Sequence, residues 1–176
     1  MNEYLMHLLK KPQLSIMMVC LGNICRSPMA AAVLSNKTKD WTSPKIVVSS
    51  SGTGSWHIGD GPNEKSKLVW EEAGYVYEHI AQQFKEYMFN EQDLLLVMDK
   101  SNFQNLHSLT SNKLHTQKIF YLKQFDPSFG ITDVENNYED LEIPDPYYEP
   151  ISAYQNVLQM VEKSIDGLLS FLRSGK

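Results

Sequence analysis

Four apolar runs of strand length punctuate the chain: Leu14-Ser15-Ile16-Met17-Met18-Val19, Lys45-Ile46-Val47-Val48-Ser49, Asp93-Leu94-Leu95-Leu96-Val97-Met98 and Lys118-Ile119-Phe120-Tyr121-Leu122. Segments with helical patterning lie between and after them. Ser27-Pro28 reads as an N-cap followed by proline at the first helical position. Asn63 to Ala73 reads as a helix closed by Gly74. Near the end, Tyr154, Val157, Leu158, Val161, Ile165, Leu168, Leu169 and Leu172 recur at helical spacing and mark a buried face. Strands alternating with helices predict a single-domain, three-layer α/β fold, with a central four-stranded parallel sheet flanked by helices. Such sheets bind ligands at the carboxyl ends of their strands. No internal repeat or Gly/Ser linker divides the chain.

Composition narrows the class. With 176 residues, 42% of them hydrophobic, and a mean hydropathy of −0.35, the chain can bury one substantial core. A net charge of −5 without a basic, aromatic-studded stripe predicts no nucleic-acid partner. No apolar stretch reaches about 18 residues, and the leader Met1 to Gln13 is interrupted by His7, Lys10, Lys11 and Pro12, so neither a membrane span nor a signal peptide is expected. The only two cysteines are Cys20 and Cys25, which cannot supply the four ligands usual for a structural zinc or a secreted disulfide framework. A reducing, cytoplasmic location is expected.

Both cysteines fall in Val19-Cys20-Leu21-Gly22-Asn23-Ile24-Cys25-Arg26-Ser27-Pro28, where five residues separate Cys20 from Arg26 between a predicted strand and a predicted helix. A helix N-terminus offers unpaired N–H groups and the positive end of the dipole, so a loop wrapped over it can surround a phosphate. Arg26 adds a planar fork for two phosphate oxygens. The first turn, Pro28 to Leu34, carries no acid of its own and leaves its positive end for an outside anion. The same field favours a thiolate at Cys20, a nucleophile at neutral pH. A curled loop also brings Cys20 and Cys25 within reach of a disulfide, with Cys25 as redox partner.

This segment resembles the signature of the low-molecular-weight protein tyrosine phosphatases. The resemblance runs from Ser15 to Leu172, making residues 1–13 an N-terminal extension and 14–174 the phosphatase domain. It implies a metal-independent enzyme without cofactor that hydrolyses phosphotyrosine and aryl phosphates through a cysteinyl-phosphate. Cys20 would be the nucleophile and Arg26 the transition-state stabiliser, with Leu21, Gly22, Asn23, Ile24, Cys25, Arg26 and Ser27 as the phosphate-binding loop. A tyrosine leaving group, with a pKa of about 10, needs an acid. Asp145-Pro146-Tyr147-Tyr148 matches the family's acid segment, which gives Asp145 the general acid and base role. Proline keeps Asp145 out of helix and in an extended loop.

The same resemblance makes Asn23, Ser27, Ser50 and His79 the network that shapes the loop, and Trp56, Tyr147 and Tyr148 the aromatic walls of the cleft. It implies phosphotyrosine-containing proteins as partners, with inorganic phosphate as product and inhibitor. His57, beside Trp56, reads as a solvent-facing loop residue, and Asp99 as structural. Gln82, Asn63 and Lys65 stand where the family favours arginine, aspartate and arginine, so supporting ion pairs are expected to be missing. The leader is expected to be a frayed or lightly docked helix. The run from Phe129 to Ile143 reads as an acidic insertion carrying Asp133, Glu135, Glu139, Asp140 and Glu142. Two alternatives remain: a thiol-dependent arsenate reductase, which would need redox cysteines beyond these two, and a phosphotyrosine-binding module that has lost catalysis.

Overall fold

The computed structural model describes residues 2–129 and 139–175. Its sheet comprises β1 (Gln13–Cys20), β2 (Lys45–Gly52), β3 (Leu94–Val97) and β4 (Ile119–Tyr121) in the order β2-β1-β3-β4, all parallel. The helices are α1 (Glu3–Leu8), α2 (Arg26–Thr38), α3 (Glu64–Glu72), α4 (Met88–Glu91), α5 (Lys100–Ser108), α6 (Lys113–Thr116) and α7 (Ile151–Arg173).

β1 explains the layering. Leu14, Ile16, Met18 and Cys20 join one core with α2 and α7, whereas Met17 and Val19 join a second with Phe84, Phe89, Leu106 and Tyr121. Alternate residues of one strand thus feed opposite cores, which is why the strand reads as a nearly unbroken apolar run. The predicted face of α7 is buried at all eight positions named above. Asn63 caps α3, accepting from the amides of Lys65 and Ser66 at 2.9 and 3.2 Å, and Gly74 follows in the left-handed region at φ 92°.

Three expectations are corrected. β2 continues to Gly52, three residues beyond the apolar run, because Met18, Val19 and Cys20 pair with Ser50, Ser51 and Gly52. The leader is not lightly docked: Leu5 and Leu8 are buried in the larger core, and the Tyr4 hydroxyl donates to the Asp93 carbonyl at 2.5 Å. Helix α2 begins at Arg26 with Cys25 in the cap position, so Ser27 is not the N-cap and Pro28 is the third helical residue. The first-turn amides have no intrahelical partner, so a proline lacking N–H fits there too.

Asp133 and Glu135 of the acidic run lie outside the described residues. Glu139 and Asp140 sit in a short 3-10 turn ending at Leu141, and Glu142 accepts from the Lys100 amide at 3.0 Å. β1 has β2 on one side and β3 on the other, so its carboxyl end opens a crevice where the chain leaves in opposite directions. Cys20 ends that strand.

Candidate active site

From Cys20 the chain curls through five residues into α2. Asn23 makes the curl possible: its φ is 59°, and it is the one non-glycine residue with positive φ among the described residues. Asparagine tolerates this conformation, and its fully buried side chain converts the turn into a hub. Its amide nitrogen donates to Ser27 Oγ at 2.8 Å and to Ser50 Oγ at 3.0 Å, and its Oδ1 accepts from the Gln82 amide at 2.9 Å. His79 Nε2 donates to the Asn23 carbonyl at 2.5 Å, while Nδ1 stands 3.5 Å from Ser50 Oγ. These partners assign the neutral tautomer with its proton on Nε2. Burial lowers the His79 pKa, opposed by the hydrogen bond to Asn23. The resemblance named Asn23, Ser27, Ser50 and His79 as one network, and all four are joined here.

Ser27 Oγ lies 3.0 Å from Cys20 Sγ. The sulfur therefore faces a hydroxyl at the start of a helix whose first turn carries no acid. Arg26 is 2% exposed, and its Nη1 donates to Asp99 Oδ2 at 2.6 Å and to the Ile143 carbonyl at 3.0 Å. Its Nη2 stands 3.4 Å from Asp145 Oδ2. Burial works against the Arg26 charge, but Cys20, Asp99 and Asp145 outweigh it and hold the guanidinium firmly protonated.

The cleft above this floor measures ≈ 410 Å³. It is lined by Cys20, Leu21, Gly22, Ile24, Cys25 and Arg26 from the loop, by Trp56 and His57 from the segment after β2, and by Asp145, Tyr147 and Tyr148 from the segment before α7. Trp56 is 71% exposed and Tyr148 93%, so both stand as free walls at the mouth. Tyr147 and Tyr148 meet edge to face, with ring centroids 4.7 Å apart. The Tyr147 amide donates to Asp145 Oδ1 at 3.1 Å, which fixes the carboxyl at the start of a turn. Among the described residues no group of three or more His, Cys, Asp and Glu could hold a metal ion, and no helix is long and apolar enough to cross a membrane.

Several placements were not visible in the sequence. His57 is a cleft residue: its ring packs on Gly22, it pairs with Asp60 at 3.1 Å, and its centroid is 6.3 Å from that of Tyr147. Asp99 caps α5 through Oδ1 and also holds Arg26 through Oδ2. Its position just before α5 signals the first role but not the second. At the departures from the family pattern, neutral hydrogen bonds are found: Gln82 Nε2 donates to the Ser50 carbonyl at 2.9 Å, and Asn63 caps α3. Lys65 Nζ reaches the Glu149 carbonyl at 3.2 Å, four residues after Asp145.

The second cysteine is buried beside a tyrosine, with Cys25 Sγ 3.8 Å from Tyr154 Oη. Burial pushes the Cys25 thiol up to about 12, so it stays protonated near neutrality.

The chain is similar to known phosphatases along most of its length. A protein from Streptomyces coelicolor named as a low molecular weight protein-tyrosine-phosphatase is 35% identical over 156 residues, covering 88% of this chain and 91% of that protein. The crystal structure of a protein tyrosine phosphatase from Entamoeba histolytica, with Hepes in its active site, superposes with a TM-score of 0.79 at 28% identity, covering 92% of this chain and 98% of the other. An arginine phosphatase, YwlE from Geobacillus stearothermophilus, superposes with a TM-score of 0.74 at 30% identity, covering 92% and 94%. The family model for low molecular weight phosphotyrosine protein phosphatases matches residues 15–176. The chain therefore belongs to the low molecular weight phosphotyrosine protein phosphatase family, a family of hydrolases.

Proposed function

We propose that the protein hydrolyses phosphotyrosine in proteins, and aryl phosphates generally, through a covalent cysteinyl-phosphate and without a metal ion. The observation that carries this reading is the convergence of Cys20, Arg26 and Asp145 on one cleft walled by aromatic side chains. In the first step Cys20 Sγ attacks phosphorus, the bond from phosphorus to the tyrosine oxygen breaks, and Asp145 gives that oxygen a proton. Loop amides and the Arg26 guanidinium take the charge on the equatorial oxygens, the work a metal performs in other phosphoryl transferases. In the second step water attacks phosphorus and yields its proton to Asp145. Cys20 leaves as a thiolate, which accepts the Ser27 hydroxyl hydrogen bond.

Trp56, Tyr147 and Tyr148 support an aryl substrate. A phosphotyrosine ring finds aromatic walls to pack against as it presents phosphorus to the sulfur, whereas phosphoserine has no ring to offer them. Asp145 is the one acidic side chain among the described lining residues, and a guanidinium leaving group finds no second carboxylate among them. Phosphotyrosine is therefore the proposed substrate rather than phosphoarginine, the chemistry that the YwlE name suggests. The proposed domain spans residues 14–174 with 1–13 as an extension. The proposed compartment is the reducing cytoplasm, consistent with two free cysteines.

The test is hydrolysis of phosphotyrosine, phosphoserine and phosphoarginine peptides with EDTA present, beside arsenate reduction with added thiols. Turnover of the tyrosine peptide alone is expected. Preference for phosphoarginine, loss with EDTA, arsenate reduction, or binding without turnover would each replace the reading.

A further inference from the structure

We infer that Tyr154 is a positioning residue for the acid segment, relaying a hydrogen-bond chain from the Cys25 thiol to the Tyr147 peptide that holds the Asp145 carboxyl. This rests on the role of Asp145 proposed above. Tyr154 lies in the first turn of α7, on the apolar stripe, and its ring is fully buried. A residue with only a packing role there would be interchangeable with phenylalanine. Its hydroxyl, however, ends between two functional segments: 3.8 Å from Cys25 Sγ in the phosphate loop and 3.4 Å from the Tyr147 carbonyl oxygen.

The direction of the chain follows from donor and acceptor chemistry. A carbonyl only accepts, so the Tyr154 proton goes to Tyr147, and the Tyr154 oxygen is then free to accept from the Cys25 S–H. Burial keeps both groups protonated, pushing the Cys25 thiol up to about 12 and the Tyr154 phenol above its ordinary value. The far side of the Tyr147 residue completes the relay, because its N–H donates to Asp145 Oδ1 at 3.1 Å. One hydroxyl thus anchors the residue whose amide orients the proposed acid.

The surroundings reinforce the anchor. Lys65 Nζ stands 5.9 Å from the Tyr154 ring centre and donates to the Glu149 carbonyl, and Ser66 Oγ donates to the Cys25 carbonyl at 2.7 Å. Helix α3 therefore clamps both ends of the relay. The relay also links the acid to oxidation: a Cys25 sulfur drawn into a disulfide has no proton to give Tyr154.

The test is Tyr154→Phe, which keeps the ring and deletes the hydroxyl, assayed on phosphotyrosine and on an aryl phosphate whose electron-poor phenol leaves without a proton. Turnover of phosphotyrosine should fall about tenfold, while that of the activated substrate changes less than about twofold. In an Asp145→Ala background the Tyr154→Phe change should add no further loss, because it acts through that carboxyl. Equal losses on both substrates, no loss on either, or a full additional loss in the double variant would overturn the inference. Asp145→Ala alone separates the two claims. If it lacks leaving-group dependence the role of Asp145 fails, and if it shows that dependence while Tyr154→Phe does not, only the positioning role fails.

Discussion

His79 donates from Nε2 to the carbonyl of Asn23 at 2.5 Å, tying the segment after α3 to the one left-handed non-glycine residue, among those described, of the loop between β1 and α2. The contact holds the loop from outside while the Asn23 side chain holds it from within.

Two substitutions at Asn23 separate its roles. Asn23→Gly removes the side-chain bonds to Ser27, Ser50 and the Gln82 amide but tolerates the φ of 59°. Asn23→Ala removes the same bonds and adds strain of about 1–2 kcal/mol. Both variants should lose activity, and alanine should melt lower than glycine by the strain alone. Equal melting temperatures would show that the backbone conformation carries no cost.

Burial lowers the His79 pKa below 6.5, against the hydrogen bond to Asn23. The unfolded chain therefore binds the proton more readily than the folded one. The stability contributed by neutral His79 is present above about pH 6.5 and is lost as pH falls through the folded value. Denaturant titrations from neutral to acidic pH should show this decline, and His79→Gln should flatten it. A wild-type slope that persists unchanged in the variant would assign the titration to another group.

A Cβ at Gly54 would come within 1.9 Å of the Trp56 ring. Gly54→Ala must therefore displace the most exposed tryptophan of the cleft while leaving Cys20, Arg26 and Asp145 untouched. KM for aryl phosphates should rise several-fold with kcat little changed, the signature of lost binding that does not change through the reaction. A fall in kcat at constant KM would contradict the assignment of Trp56 as a wall.

Much of this site is legible in local sequence. Cys20, Arg26 and Ser27 lie in one continuous segment, and Asp145 is marked by the proline and tyrosines after it. The strands were legible because both faces of β1 are buried. Asp99, His57 and Tyr154 were not legible as site residues, for a common reason. Asp99 meets Arg26 across 73 positions and Tyr154 meets Cys25 across 129, so their partners are set by how the helices dock on the sheet. Tyr154 also fits its apolar stripe perfectly well, which conceals its hydroxyl. The start of α2 was misread because serine and proline signal a cap equally well from two positions further along.

Both free thiols belong to one loop, and their environments differ. Cys20 faces Ser27 and Arg26, whereas Cys25 is held as a thiol by burial. Peroxide should therefore convert Cys20 to a sulfenic acid, on which the Cys25 sulfur closes a disulfide with release of water. Phosphate in the loop should protect. After peroxide and then reductant, the wild type should regain its untreated activity, and Cys25→Ser should regain a smaller fraction of its own. Mass spectra without a Cys20–Cys25 bridge, together with equal recovery, would contradict this.

The central claim is that phosphorus passes through Cys20. Rapid acid quench of Asp145→Ala during turnover of a radiolabelled aryl phosphate whose electron-poor phenol leaves without a proton, so that the intermediate forms but its hydrolysis lacks the base, followed by peptide mapping, tests it most directly. The label should appear on the peptide containing Cys20 and be absent when Cys20 is replaced by serine. Label found only as free phosphate in every quenched sample, or on any other residue, would contradict the account.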